Sequence, residues 1–197
     1  MRKTYWFILG LLIILLVVGV FWQVRRFLPV KKEVLPLETP TEAGGKTQSV
    51  KLYFASEKGT TLTVETREIT AVSGELEQAR LVIQELIAGP FTNNLGSTIP
   101  PGTKLREIYL DGNGGAYVDF SREIQDNHPG GSTGEMLTIF SVVNTLIENF
   151  PPIKKVQILV EGKEISTLAG HIDTSMPFKK NEEIFQDTSV QGEGINP

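Results

Sequence analysis

Hydrophobic residues recur along the chain in three rhythms. From Tyr5 to Val24, "YWFILGLLIILLVVGVFWQV", they run on with no charge among them. As a helix rising about 1.5 Å per residue, such a run crosses a hydrocarbon core of roughly 30 Å. Trp6 and Trp22 stand at its two ends, where interfacial aromatics belong. A cleaved signal peptide would carry a shorter apolar stretch, about 7–15 residues, and a small-residue cleavage site. Here the run ends in "FWQVRRF". A retained single-pass anchor over residues 5–24, preceded by a short segment 1–4, is the expectation.

The second rhythm is alternation. "VKLYFAS", Val50–Ser56, sets Leu52 and Phe54 between polar neighbours, as a half-buried strand does. "TLTVETREI", Thr61–Ile69, alternates Leu62 and Val64 with threonines and predicts a second strand, joined to the first by "EKGT". Strands are also predicted at Lys104–Leu110 and Ala116–Phe120, turned by "DGNGG", and at "KKVQILV", where Val156, Ile158 and Val160 alternate. The third rhythm is helical. Leu76, Ala79, Val82, Ile83, Leu86 and Ile87 share one face, with Ser73 as the expected N-cap and Gly89–Pro90 as the stop.

A second helix starts in "GGSTGE". Ser132 and Glu135 stand at capping-box spacing. Behind them Met136, Phe140, Val143 and Ile147 form a stripe, widened by Leu137, Leu146 and Phe150. The order is β-β-α-β-β-α-β. It predicts an α+β two-layer sandwich, two helices on one mixed or antiparallel sheet. The loop Phe91–Thr103 is long for a compact domain and marks a candidate functional segment.

Around this body, 50–178, lie a Pro-, Thr- and Glu-rich linker at 25–49 and a polar tail at 179–197, expected to be largely disordered. The net charge of −4 conceals an asymmetry. Residues 1–50 carry seven Lys/Arg against three Glu; the remainder carries twelve against twenty Asp/Glu. So acidic a body is a poor polyanion binder, and no nucleic-acid partner is expected. Arg25, Arg26, Lys31 and Lys32 after the apolar run outnumber Arg2 and Lys3 before it. By the positive-inside count alone, the body would be cytoplasmic. The absence of cysteine excludes disulfides, thiolate metal sites and cysteine nucleophiles.

Catalytic constellations do not assemble. A Walker loop needs Lys and a hydroxyl after its last glycine, but Gly134 is followed by Glu135. No strand leads directly into the glycines, as a dinucleotide fingerprint requires. His128, His171, Asp126 and Asp173 match no metal-ligand spacing. Asp111, Asp119, Glu123 and Glu135 are the carboxylates a glycosidase would draw on. Ser97 and Ser132 lack a nucleophile elbow. No catalytic, cofactor-binding or metal residues, and no small-molecule substrate, are therefore expected.

The segments "VIQELIAGPFTNNLGSTIPPGTKLREIYLDGNGGAYVDFSREI" and "GSTGEMLTIFSVVNTLIENFPPIKKVQILVEGKEISTLAGHIDTSMPF" resemble, in order, the GerMN domain family of sporulation and spore-germination proteins. The resemblance implies a helix-strand-strand-helix-strand core similar to ring-building motifs. It also implies a bacterial membrane anchor, a body outside the cytoplasm, and a structural role with no catalytic residues. In the family's sporulation member two such domains stand in tandem; this chain carries one. The function expected is that of an envelope interaction module for sporulation or germination, self-associating or binding an envelope protein. The alternative is a glycan-binding or glycan-cleaving wall protein, which would need exposed aromatics and convergent carboxylates; no tryptophan follows Trp22.

Overall fold

The computed structural model describes residues 46–184. The apolar run 5–24, nearly all of the 25–49 linker and the tail beyond residue 184 lie outside the described residues. No helix among the described residues is long and apolar enough to cross a membrane.

The elements are β1 (Thr47–Ala55), β2 (Leu62–Thr70), α1 (Glu75–Ala88), β3 (Leu105–Leu110), β4 (Gly115–Phe120), α2 (Glu123–Asp126), α3 (Ser132–Asn149), β5 (Lys155–Val160) and β6 (Lys163–Glu164). The α+β class and the order of the main elements are those the periodicities predict, with α2 and β6 added. The single sheet is not formed. β1 and β2 make a separate antiparallel hairpin, while β3-β4-β5-β6 form a mixed sheet in which β4 and β5 run parallel. Helix α3 crosses between β4 and β5, as a parallel pair requires. It also lies along the outer edge of β1, where its side chains take the main-chain bonds that a neighbouring strand would take.

That double role explains how α3 is buried. Ile139, Val142, Val143 and Leu146 join the core with Ala79, Val82, Ile83 and Leu86 of α1. From the sheet come Ile108, Val118, Phe120, Val156 and Ile158, and from the hairpin Val50, Leu52 and Phe54. Met136, Phe140 and Ile147 of the predicted stripe are only half-buried. Thr138, Ser141, Asn144 and Thr145 are buried instead, because the helix is covered on more than one side.

Two N-caps differ from expectation. Both helices start from glycines at positive φ, Gly74 at 103° and Gly131 at 80°, and neither has a side-chain capping bond. Ser132 is exposed, and Glu135 turns inward to another loop. Ser132→Ala is therefore expected to change stability by less than about 0.5 kcal/mol, not by the ~1 kcal/mol of a lost cap. Denaturant unfolding of the two chains side by side checks this; a loss of a full cap's worth would restore the capping box.

Strand β2 keeps only the first residue of its predicted face, Leu62, which is buried. Val64 is 46% exposed, whereas Glu65 and Arg67 are buried with Ile69. The chain past Phe178 also stays on the body as far as it is described. Phe178 bridges Val156, Asn181 exchanges bonds with Asn144, and Ile184 is buried against Tyr53, Leu62 and Leu137.

Candidate interaction surface

The hairpin treats its two edges differently. The Ser56 N–H donates to the Thr61 carbonyl at the turn, and the Ala71 N–H to the Lys46 carbonyl at the open end. The register between them is unbroken. Antiparallel ladders alternate bonded and non-bonded pairs. The main-chain groups of Leu62, Val64, Thr66, Glu68 and Thr70 therefore point away from β1. On β1 three of the five corresponding outward N–H groups are covered: Lys51 donates to Asn149 Oδ1 (2.9 Å), Tyr53 to Thr145 Oγ1 (3.2 Å) and Ala55 to the Gly96 carbonyl (3.0 Å), whereas those of Ser49 and Thr47 have no partner among the described residues.

On β2 only the two ends are covered. The Leu62 N–H donates to the Ile184 carbonyl (2.9 Å), and the Gln78 amide of α1 donates to the Thr70 carbonyl (3.3 Å). Between them Val64, Thr66 and Glu68 present N–H and C=O groups with no partner among the described residues. Natural edges are blunted by Pro, Lys, bulges or inward charges. Leu62–Thr70 contains no Pro, Lys or bulge, and its inward charges neutralise each other.

Those charges are Glu65 and Arg67. The Arg67 guanidinium donates to Glu65 (2.5 Å), to the Glu85 carboxylate (2.7 Å) and to the Gly89 carbonyl (3.0 Å). Glu65 Oε2 accepts the N–H groups of Phe91 (3.0 Å) and Thr92 (2.9 Å), which pins the start of the Phe91–Thr103 loop to β2. Burial alone would raise the Glu65 carboxyl. The bonds from Arg67, Thr92 and Phe91 outweigh it and hold the group at about 2. The Phe91 ring lies 3.6 Å from the guanidinium carbon, a cation–π contact, yet remains 73% exposed. An aromatic held rigid and open in this way is the kind of residue that dominates protein interfaces. The long loop singled out in the sequence thus begins beside the open edge of β2, joined to it through Glu65. The signal for this attachment, the Glu-Thr-Arg triplet inside the strand, is present, but the Leu62–Val64 alternation assigns its charges to the outer face.

The other carboxylates are engaged separately. Glu135, fully buried, accepts the N–H groups of Leu168 (2.9 Å), Ala169 (2.8 Å) and His171 (2.8 Å). Burial works to raise its pKa, and these bonds, with one from Ile172, bring it below the ordinary value. His171 Nδ1 stands 3.3 Å from the same carboxylate. Asp111 closes the β3–β4 turn through the N–H groups of Asn113 and Gly115. Asp119 accepts from Gly162 and pairs with Arg106, and Glu123 accepts from Ser121.

His128 lies within electrostatic reach of Glu135 and His171 but makes its own hydrogen bonds. Its Nδ1 accepts the Gly130 N–H, so its Nε2 carries the proton toward Thr138 Oγ1 (3.1 Å), whose hydroxyl donates to the Thr98 carbonyl. Desolvation lowers the pKa of this ring. Asp126 pairs with Arg122, Asp173 caps Ser175, and Ser97 donates to the Ile99 carbonyl. Of the four metal-ligand candidates His128 and His171 come within electrostatic reach of each other, but among the described residues no three such side chains are grouped as a metal ion requires. The cavity between the Ser97–Pro101 loop and the start of α3, about 200 Å³, is below the usual size of a small-molecule site, roughly 300–1,000 Å³.

No curated protein matches the chain. Among solved structures it is similar to the first GerMN domain of the sporulation protein GerM from Bacillus subtilis. The identity is 20%, over 70% of this chain and 99% of that chain, with a TM-score of 0.53. The tandem GerMN domains of the same protein match at 18% identity and a TM-score of 0.52, over 67% of this chain and 46% of that one. A candidate lipoprotein from Clostridium perfringens matches at 28% identity over 68% of this chain and 88% of that chain, with a TM-score of 0.49. The two GerM likenesses show a shared fold. The family model Germane, described as sporulation and spore germination, matches residues 51–166, more than half of the sequence and nearly all of the body, and the chain belongs to that family.

Proposed function

We propose that the protein is a membrane-tethered interaction module of the bacterial envelope. Residues 5–24 anchor it as a single span, residues 25–49 act as a spacer, and the Germane body stands outside the cytoplasm. The body recruits an envelope protein or a copy of itself through the open segment of β2 with Phe91 beside it. Sporulation or germination is the process that family membership supports. The observation that carries the reading is the asymmetry of the hairpin's central stretch: every outward N–H from Lys51 to Ala55 on β1 is covered, whereas among the described residues Val64 and Thr66 opposite them, and Glu68 beyond, have no partner. Adding an extended segment to such an edge is a general mode of recognition, with main-chain bonds giving affinity and neighbouring side chains giving selectivity.

The test uses the full chain in its native membrane. Phe91→Ala removes the exposed ring and costs about 0.5–2 kcal/mol of cation–π contact. Thr66→Pro removes one outward N–H, a substitution that edge strands tolerate. Each is expected to reduce the protein captured by envelope crosslinking at least about tenfold while the body still melts cooperatively. Unchanged capture by both variants would sink the proposal. Binding to purified peptidoglycan with release of fragments would favour the glycan alternative.

A further inference from the structure

We infer that the occupant of the open β2 segment is the same segment of a second copy of this chain, paired antiparallel about a twofold axis at Thr66. The inference rests on the interaction-module proposal and names its partner. The open window is centred on Thr66, with one open residue at equal spacing on either side, and both ends are closed by Ile184 and Gln78. A symmetric seam fits that window. Thr66 faces Thr66 of the second copy, and Val64 faces Glu68. Each of these positions directs its main-chain N–H and C=O into the seam.

Charge favours this register, with each Glu65 and Arg67 also paired inside its own copy. It sets Glu65 opposite Arg67 of the second copy, and Thr63 opposite Ile69, on the face turned toward the helices. Sliding the symmetric pairing one way brings Glu65 against Glu65; sliding it the other way brings Arg67 against Arg67. Opposite charges across strands stabilise a pair and like charges oppose it. The side chains of Val64, Thr66 and Glu68 are exposed on the far face and do not obstruct the approach. A seam this short is weak in dilute solution. Two copies held on one membrane meet at a much higher effective concentration.

The natural sequence contains no cysteine, so single cysteines report cleanly. Full-length chains carrying Val64→Cys, Thr66→Cys, Glu68→Cys or Thr70→Cys are reconstituted into lipid vesicles, oxidised mildly and resolved without reductant. A bonded antiparallel pair holds its Cα atoms about 5.5 Å apart, within disulfide reach. Thr66→Cys is expected to give at least about five times the dimer of Thr70→Cys. Mixing Val64→Cys with Glu68→Cys is expected to give more dimer than either alone. Equal dimer from Thr66→Cys and Thr70→Cys overturns the pairing. So does cross-linking that appears only when the chain is ended after Ile184, which assigns the window to the tail. If Thr66→Cys fails to cross-link while Thr66→Pro still abolishes envelope capture, self-pairing falls and the module reading stands. If both experiments are negative, both fall.

Discussion

Glu135→Ala is expected to destabilise the body by about 3–5 kcal/mol, the scale of leaving several main-chain N–H donors without their charged acceptor at about 1–3 kcal/mol each. The substitution removes the acceptor of the Leu168, Ala169 and His171 N–H groups at once. The loop carrying those groups leads to the Phe178 bridge and then to Ile184, which closes one end of the β2 window. Glu135→Gln keeps an oxygen but turns an amide donor toward main-chain donors, so an intermediate loss is expected. Denaturant unfolding gives the sizes. Hydrogen exchange at Leu168–Ile172 should rise in the Gln variant before the core opens. Its pH dependence has a definite sign. The folded carboxyl lies below its ordinary value, so the stabilisation is present above that value and is lost as pH falls through the folded one. A loss in Glu135→Ala no larger than that of a surface substitution would contradict the account.

The second large effect is at Arg67. Arg67→Met leaves Glu65 buried without its cation, and a loss of about 3–5 kcal/mol is expected. In the natural chain Glu65 is held at about 2, so its contribution is full above the ordinary carboxylate value and fades only as pH drops toward 2. Without the guanidinium, burial pushes the carboxyl upward, and acid unfolding should begin at a visibly higher pH. The double variant Glu65→Leu with Arg67→Met removes both charges and should recover part of the loss, because no uncompensated charge remains in the strand. Single and double variants that lose stability additively would show that the two side chains do not act as a pair. Phe91 should also become more mobile in Arg67→Met, since its stacking partner is gone.

Much of the fold was legible because side-chain period reports secondary structure directly. The α1 stripe, the Gly89–Pro90 stop and the alternation of Val156, Ile158 and Val160 all read through to the structure. Strand partnership was not legible, since alternation tells which face is buried and not which strand lies alongside. The separate hairpin is decided by α3, whose Asn149 and Thr145 occupy the edge of β1.

β2 misled for a related reason. Leu62 and Val64 set an apparent apolar phase, but Glu65 and Arg67 satisfy each other and enter the core in the opposite phase with Ile69. Glu135 misled through a true local pattern, S-x-x-E, whose carboxylate was claimed by a loop more than thirty residues away in sequence. The candidate surface was half visible. The long loop was marked by its length, but its attachment to an edge strand needed the Glu65 bonds to Phe91 and Thr92.

Contacts are expected to form on the open segment of β2 and not on other exposed apolar residues. Site-specific photo-crosslinking in the native envelope tests this most directly. The photoreactive group is placed in turn at Val64, Thr66 and Phe91, and at Tyr109 and Met176, which are comparably exposed elsewhere on the body. Adducts from Val64, Thr66 and Phe91, with none from Tyr109 or Met176, are the predicted result. Adducts from Tyr109 or Met176 with none from Thr66 would contradict the account.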